Sequence, residues 1–296
     1  SLAKSIDDLA VRFTAAPSEI ERRLEVARAA MLAHREKRIK PFRDEKILAS
    51  WNGLLIGALA DAARALDEPA WLALAERAFD FVWRVLVKDD RVLRHAKDGV
   101  AKGPGFLDDQ AFVACAALDL YEATGDGEYL RRARALAAVI RAQFAGEGGA
   151  LYLVAQDGEP LIARPQDVYD HAIPSASSKA LELFLRLGTL VDAELGVWAE
   201  QGVASLAAAA LENPFGLSTV ILLADRITKT SVYVVLVEAP AESGPGELLR
   251  ATYRVYLPHR SIAYAKEDGA SDAALLAEGK RASAPAAFVC HRHSCA

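Results

Sequence analysis

The chain has 296 residues, 52% apolar and 25% charged, an ordinary globular balance with length for one large or two medium cores. Lys and Arg total 35 against 40 Asp and Glu, a formal charge of −5, which argues against nucleic acid as the main partner, since phosphate binding needs a concentrated basic face. No apolar run approaches the roughly 20 residues of a membrane span, the charged N-terminal stretch is unlike a signal peptide, and three cysteines suit a reducing cytoplasm better than a disulfide scaffold.

In chain order, the basic run "HREKRIKPFRDEK" ends a helix, where cations are favoured. The next helix opens on Trp51-Asn52-Gly53, residues that lower helix propensity rather than raise it. Along it Leu54, Leu55, Ala58, Leu59, Ala62 and Leu66 form one stripe at helical spacing. Pro69 marks the first turn of a second helix. "RVLRHAKDG" then reads as a β-hairpin turning at Asp98-Gly99. The pattern recurs: Trp71 falls on Tyr129, Ala75 on Ala133 and Gly53 on Ala111 at an offset of about 58, and Asp98-Gly99 falls on Asp157-Gly158 at an offset of about 59. Gly125 sits where a helix C-cap belongs. A third, looser copy comprises helix 175–188, a break at Gly188, and helix 192–211.

Helical hairpins of this size must bury their faces on one another, so they stack into a curved array or close into an α/α toroid. A common repeat solenoid is the alternative, and the inserted β-hairpin favours the toroid. After about residue 229 the period changes to strand ("SVYVVLVE"), helix ("GELLRATYRVYL"), strand ("SIAYAK") and a final "AAFVC", a small α/β appendage. The expected division is a mainly α toroid domain over 1–228 and an α/β subdomain over 229–296.

The repeat also marks equivalent positions. Trp51 and Asn52 correspond to Asp109 and Gln110, and Ser175, Ser177 and Ser178 open the third copy. All start the first helix of a hairpin, and in a toroid those helices form the inner ring, with their unpaired N–H groups converging on one mouth. Asp44, Asp108, Asp167, Tyr169 and Asp170 lie nearby in sequence. Aromatic, amide, carboxylate and hydroxyl groups around one rim suit a sugar-like polyol. Each residue also has a plainer reading: Asp108 and Ser175 as N-caps, Trp51 as core, Asp167 and Asp170 as turn residues. Cys115, mid-helix among alanines, reads as buried and inert. The tail "CHRHSC" reads as strand cysteines or a Cys290–Cys295 pair rather than a metal site, because zinc usually draws on two separated elements. No metal or cofactor is expected.

The stretches "REKRIKPFRDEKILASWNGL", "FLDDQAFVACAALDLYEATGD" and "DVYDHAIPSASS" together resemble the C-terminal region of the YyaL-type thioredoxin-domain-containing family, the spermatogenesis-associated protein 20-like proteins. The resemblance runs to the closing "AFVCHRHSC". It implies an N-terminal thioredoxin-like domain followed by an α/α toroid similar to N-acylglucosamine 2-epimerases and six-hairpin glycosidases. Of these this chain carries about four hairpins, so missing thioredoxin-like and toroid segments, or self-association, are the expected partners of its open faces. Departures fall at the supposed site: the acidic pair is Asp108-Asp109, a Pro-Ser-Gly-Asn-Ser pattern is Pro174-Ser175-Ala176-Ser177-Ser178, and a usual glycine is His171.

The functional expectation is a carbohydrate-like cleft. Hydrolysis across it calls for two carboxylates, assigned to Asp109 and Asp170, with Asp44, Trp51, Asn52, Asp108, Asp167, Tyr169, His171, Ser175 and Ser177 as ligand contacts. Epimerisation calls for a base beside a carbonyl, and His171 is the one histidine near that rim. The alternative is a non-catalytic scaffold that presents client proteins to a thioredoxin-like domain.

Overall fold

The computed structural model describes residues 4–229, 231–237, 246–291 and 294–295. It divides into two compact units, Ser1–Glu45 and Lys46–Ala296. The first holds α1 (Ile6–Phe13) and α2 (Pro17–Glu36). Ser5 caps α1, accepting from the Asp8 N–H at 3.1 Å, and Pro17 opens α2 at the position where its missing N–H costs nothing.

The second unit begins with β1 (Ile47–Leu48) and the hairpin α3 (Ala49–Ala65) and α4 (Pro69–Leu86). Three short strands follow, β2 (Val87–Lys88), β3 (Arg91–Lys97) and β4 (Val100–Pro104). The β3–β4 turn is the expected Asp98-Gly99, both at positive φ (53° and 74°), as a two-residue hairpin turn requires. The next hairpin is α5 (Leu107–Thr124) and α6 (Gly127–Gln143), and a third is α7 (Ala176–Leu190) with α8 (Ala193–Ser205) and α9 (Ala207–Glu212). Then come α10 (Ser218–Thr228), β5 (Val232–Val237), α11 (Glu247–Tyr253), β6 (Ser261–Ala265), β7 (Ala286–His291) and β8 (Ser294–Cys295). In the second sheet the order is β6-β5-β7-β8, with β5 and β6 parallel and the other pairs antiparallel.

Helix α5 lies between α3 and α7 and packs on both. Every residue of it is buried except Asp119 and Thr124, so it is the central inner helix. The expected stripe on α3 is not the face that meets it. The buried face is Ala49, Ser50, Gly53, Ile56, Gly57, Ala60 and Ala63, whereas Leu55 and Leu66 are 58% and 63% exposed. Small residues win that face because the two helices touch backbone to backbone. A Cβ on Gly53 would stand 2.6 Å from the carbonyl carbon of Phe112.

Two other expectations change. No second β-hairpin forms around Asp157-Gly158; an isolated bridge joins Ala145 to Leu151, and side chains hold the segment instead. Asp157 is taken bidentately by Arg91 at 3.0 and 2.6 Å, while Arg164 donates to the carbonyls of Gln143 and Val154 and lies over the Tyr152 ring. Gly188 does not break its helix: α7 runs on to Leu190, and Gly188 is where α8 crosses closely, a Cβ there reaching within 2.5 Å of Gly196 Cα. Among the described residues after 228, Val235, Val237, Ala263 and Ala265 join the main core, while Val234, Leu236, Leu249, Tyr253 and Ile262 form a smaller core of their own. Tyr264 donates its hydroxyl to the Glu122 carbonyl at 2.8 Å and meets Tyr121 edge to face.

Gly53→Ala should lower stability by about 2 kcal/mol. The added methyl meets fixed backbone, and that overpacking outweighs the ~1 kcal/mol gain in helix propensity. Urea unfolding monitored by circular dichroism checks this; an unchanged or raised midpoint would contradict the backbone contact.

Candidate functional site

The residues expected at the inner-helix mouth form two separate hydrogen-bonded sets. In one, Asp109 is fully buried. Its carboxylate accepts from Arg94 and the Phe106 N–H at 2.9 Å each and from the Ser50 N–H at 3.2 Å, so a single side chain closes the starts of both α3 and α5. Arg94 also grips Asp108 at 2.7 and 2.8 Å. Burial, and then the adjacent Asp108 charge, push Asp109 up to about 6 against the pull of Arg94.

In the other set, Asp170 accepts from the Ser175 N–H, the Ser218 hydroxyl and the Thr219 N–H at 2.9, 2.9 and 2.7 Å, tying the starts of α7 and α10 together. Burial raises its pKa, but these donors outweigh it and hold the carboxyl below its ordinary value. Asp167 accepts from the Ala176 N–H, and Ser175 caps α7 through the Ser178 N–H. The Ser177 hydroxyl is buried without a partner.

The remaining expected contacts are dispersed. Trp51 is neither core nor enclosed, being 61% exposed, and Asn52 donates to the Leu48 carbonyl at 2.8 Å. Tyr169 and His171 are exposed. Asp44 belongs to the N-terminal unit.

A partly open, charged space lies further along the same helices. A cavity of about 260 Å3 is walled by α3 (Gly53, Gly57, Asp61), α5 (Phe112, Cys115, Asp119, Glu122), α7 (Lys179, Glu182, Arg186), Arg226 of α10, and Pro258 and Arg260 ahead of β6. Its eight charged groups are four acids and four bases. Arg186 is their hub, 2.6 Å from Asp119, 3.2 Å from Glu122 and 3.5 Å from Glu182. Lys179 holds Glu182 at 2.6 Å, and Arg260 holds Asp61 at 2.9 Å. Burial opposes the charge on Glu182, but Lys179 and Arg186 prevail and keep it at about 2. The three acids around Arg186 likewise raise its pKa well above the ordinary value despite burial. Asp61 behaves differently. Its side chain opens onto the cavity, 62% exposed, yet the walls remove enough water, and Asp119 adds enough repulsion, to push it up to about 6.

Gly57 makes this arrangement fit, since a Cβ there would fall 2.3 Å from an Asp119 carboxylate oxygen. Cys115 is free and buried, its thiol pushed up to about 12 by burial. Among the described residues no group of three or more His, Cys, Asp or Glu is placed to hold a metal ion; of the tail "CHRHSC", Arg292 and His293 lie outside the described residues. Cys290 is disulfide-bonded and lies across the strand ladder from Cys295.

The expected site residues did not include this cluster, although signals for it were present in the sequence. Asp61 falls on Asp119 at the repeat offset of 58, and Lys179, Glu182 and Arg186 recur at helical spacing on an otherwise apolar helix.

No model of a known protein family matches the chain. It is 29% identical to spermatogenesis-associated protein 20 of Rattus norvegicus over 252 residues, which is 80% of this chain and 32% of that protein. The chain thus spans about a third of the length of that relative. In structure it is similar to a GH76 alpha-mannanase of Bacteroides thetaiotaomicron, with a TM-score of 0.50 and 16% identity over 60% of this chain and 51% of the other. A cellobiose 2-epimerase of Spirochaeta thermophila gives 0.45 and 16% over 56% and 44%. The fold is an α/α toroid of helical hairpins. No helix among the described residues is long and apolar enough to cross a membrane.

Asp170→Asn should cost about 2 kcal/mol at neutral pH, because an amide cannot accept all three donors. The difference from the original protein should shrink as pH falls, because a carboxyl with a depressed folded pKa stabilises only where it is ionised. Unfolding midpoints at pH 7 and pH 3.5 measure both.

Proposed function

We propose that the unit Lys46–Ala296 binds a sugar-sized polyhydroxyl ligand in the cavity between its inner helices, with Asp61 and Asp119 as its acid–base pair. The observation that carries this reading is the partly open polar space itself. A charge network whose work was only to join helices would close on itself, whereas this one leaves about 260 Å3 beside its carboxylates, near the small end of ligand-pocket sizes. The ion pairs fix each carboxylate and guanidinium in place while using only part of its hydrogen-bonding capacity. The remaining acceptors and donors suit neighbouring hydroxyls.

The two acids are placed differently. Asp119 is locked by Arg186 at 2.6 Å, whereas Asp61 faces the cavity and is held near 6, a value from which a carboxyl exchanges a proton readily at neutral pH. Two carboxylates around one space are the minimum equipment for acid–base chemistry on a sugar. A toroid likeness to a mannanase supports this class of ligand without fixing the reaction. In this reading Asp109 and Asp170 position the inner helices, and the mouth they brace leads to the reacting groups.

Thermal-shift and calorimetric titrations of the full chain with mono- and disaccharides test the proposal. At least one sugar should raise the melting temperature, and Asp61→Asn should weaken its binding at least tenfold while the circular dichroism spectrum is retained. Absence of any sugar-dependent shift, or an Asp61→Asn protein that binds as well as the original, overturns it. A second check uses pH alone. With its folded pKa raised, Asp61 contributes stability that is fully present below its unfolded pKa and lost as pH rises through about 6. The stability of the original protein minus that of Asp61→Asn should therefore be larger at pH 4 than at pH 7.

A further inference from the structure

The cations around the cavity are not equivalent. Lys179, Arg186 and Arg260 each have a carboxylate partner. Arg226, in the last turn of α10, has none within ion-pair distance among the described residues. Its Nη2 donates to the Ser261 hydroxyl on β6 at 2.6 Å, which fixes the guanidinium between helix and sheet without neutralising it. The group lines the cavity and also the adjoining depression of about 470 Å3 between α7, α8 and β5. Burial, followed by repulsion from Arg186, lowers its pKa despite the more distant attraction of Glu122 and Glu182. A desolvated cation held in place by a neutral hydroxyl is costly unless an anion completes it.

Building on the polyol reading above, we infer that the cavity's ligand carries an anionic group, a carboxylate or a phosphate on the sugar, and that Arg226 receives it. The geometry of the donors supports this. A guanidinium has five N–H donors in a fixed fork, and the bond to Ser261 uses one of them. The rest remain for the paired oxygens of a carboxylate or phosphate, the partners for which this fork is shaped. The neighbouring carboxylates favour the same division of labour. Asp119, Glu122 and Glu182 are drawn to Arg186, and Lys179 and Arg260 are likewise paired, so among the cavity's cations Arg226 is the one not already matched by a carboxylate among the described residues. The ligand's charge thereby sets its orientation, with its hydroxyls toward Asp61 and its anionic end toward α10.

Calorimetric titration of the full chain with glucose, glucuronate, glucose 6-phosphate and inorganic phosphate tests the inference. One of the two charged sugars should bind at least tenfold more tightly than glucose, and which one does so separates a carboxylate site from a phosphate site. Arg226→Gln should remove that preference, with Arg226→Lys retaining part of it. Should Arg226→Gln fail to fold, the unmodified protein still decides: added KCl should weaken the charged sugar and spare glucose. Equal affinity for neutral and charged sugars, or a preference that survives Arg226→Gln, overturns the inference and leaves the polyol reading standing. Failure of every sugar to bind overturns both.

Discussion

The architecture depends on how closely α3 can approach α5. Gly53 brings the α3 backbone against the peptide of Phe112, and Gly57, one turn on, leaves room for the Asp119 carboxylate against α3. A side chain at Gly53 would push the helices apart, and one at Gly57 would displace the Asp119 carboxylate. Either change would disturb the charges held between the helices. The cost is local, since glycine weakens a helix by ~1 kcal/mol, and α3 offsets it by packing on α5 and α4 and by the Asp109 cap at its first turn.

From that contact the electrostatics follow. A buried arginine surrounded by three acids is an expensive arrangement, because desolvation can exceed the gain from pairing. It is tolerable here because every charge around Arg186 has a partner at hydrogen-bond or ion-pair distance and the set is close to neutral. Replacing such a network by apolar side chains is often neutral or stabilising in proteins. Its placement around an open space, rather than in a filled core, is therefore the feature that points to chemistry. The two helix-start networks do different work: Asp109 and Asp170 spend their acceptors on backbone N–H groups, which aligns the inner helices and leaves those two side chains committed.

Much of the architecture was legible from local rules. Pro69 and Gly125 mark helix ends because one lacks an N–H and the other tolerates positive φ, and Asp98-Gly99 forms the hairpin turn its dipeptide favours. The strands and helix after residue 229 follow from β-branched and helical spacing. At Asp157-Gly158 no hairpin forms: Arg164 takes the Gln143 and Val154 carbonyls and Arg91 takes the Asp157 carboxylate, contacts that the dipeptide alone does not announce. Gly188 was misleading for a related reason: a glycine in a helix can mark an end or a crossing, and only the position of Gly196 distinguishes them.

The repeat determined by itself that three helices stand at equivalent places and that their acidic and hydroxyl residues gather at helix starts, since both follow from spacing along one chain. It even superposed Asp61 on Asp119. Tertiary structure alone decided which of those residues line the cavity, because that depends on partners far apart in sequence: Arg260 reaches Asp61 across 199 positions and Arg186 reaches Asp119 across 67. A carboxylate that caps a helix and one that lines a cavity are the same letter in the sequence. What separates them is the set of neighbours: Arg94 and two backbone N–H groups take up the Asp109 carboxylate, whereas Arg260 holds Asp61 at the cavity, and these contacts exist only once the helices have met.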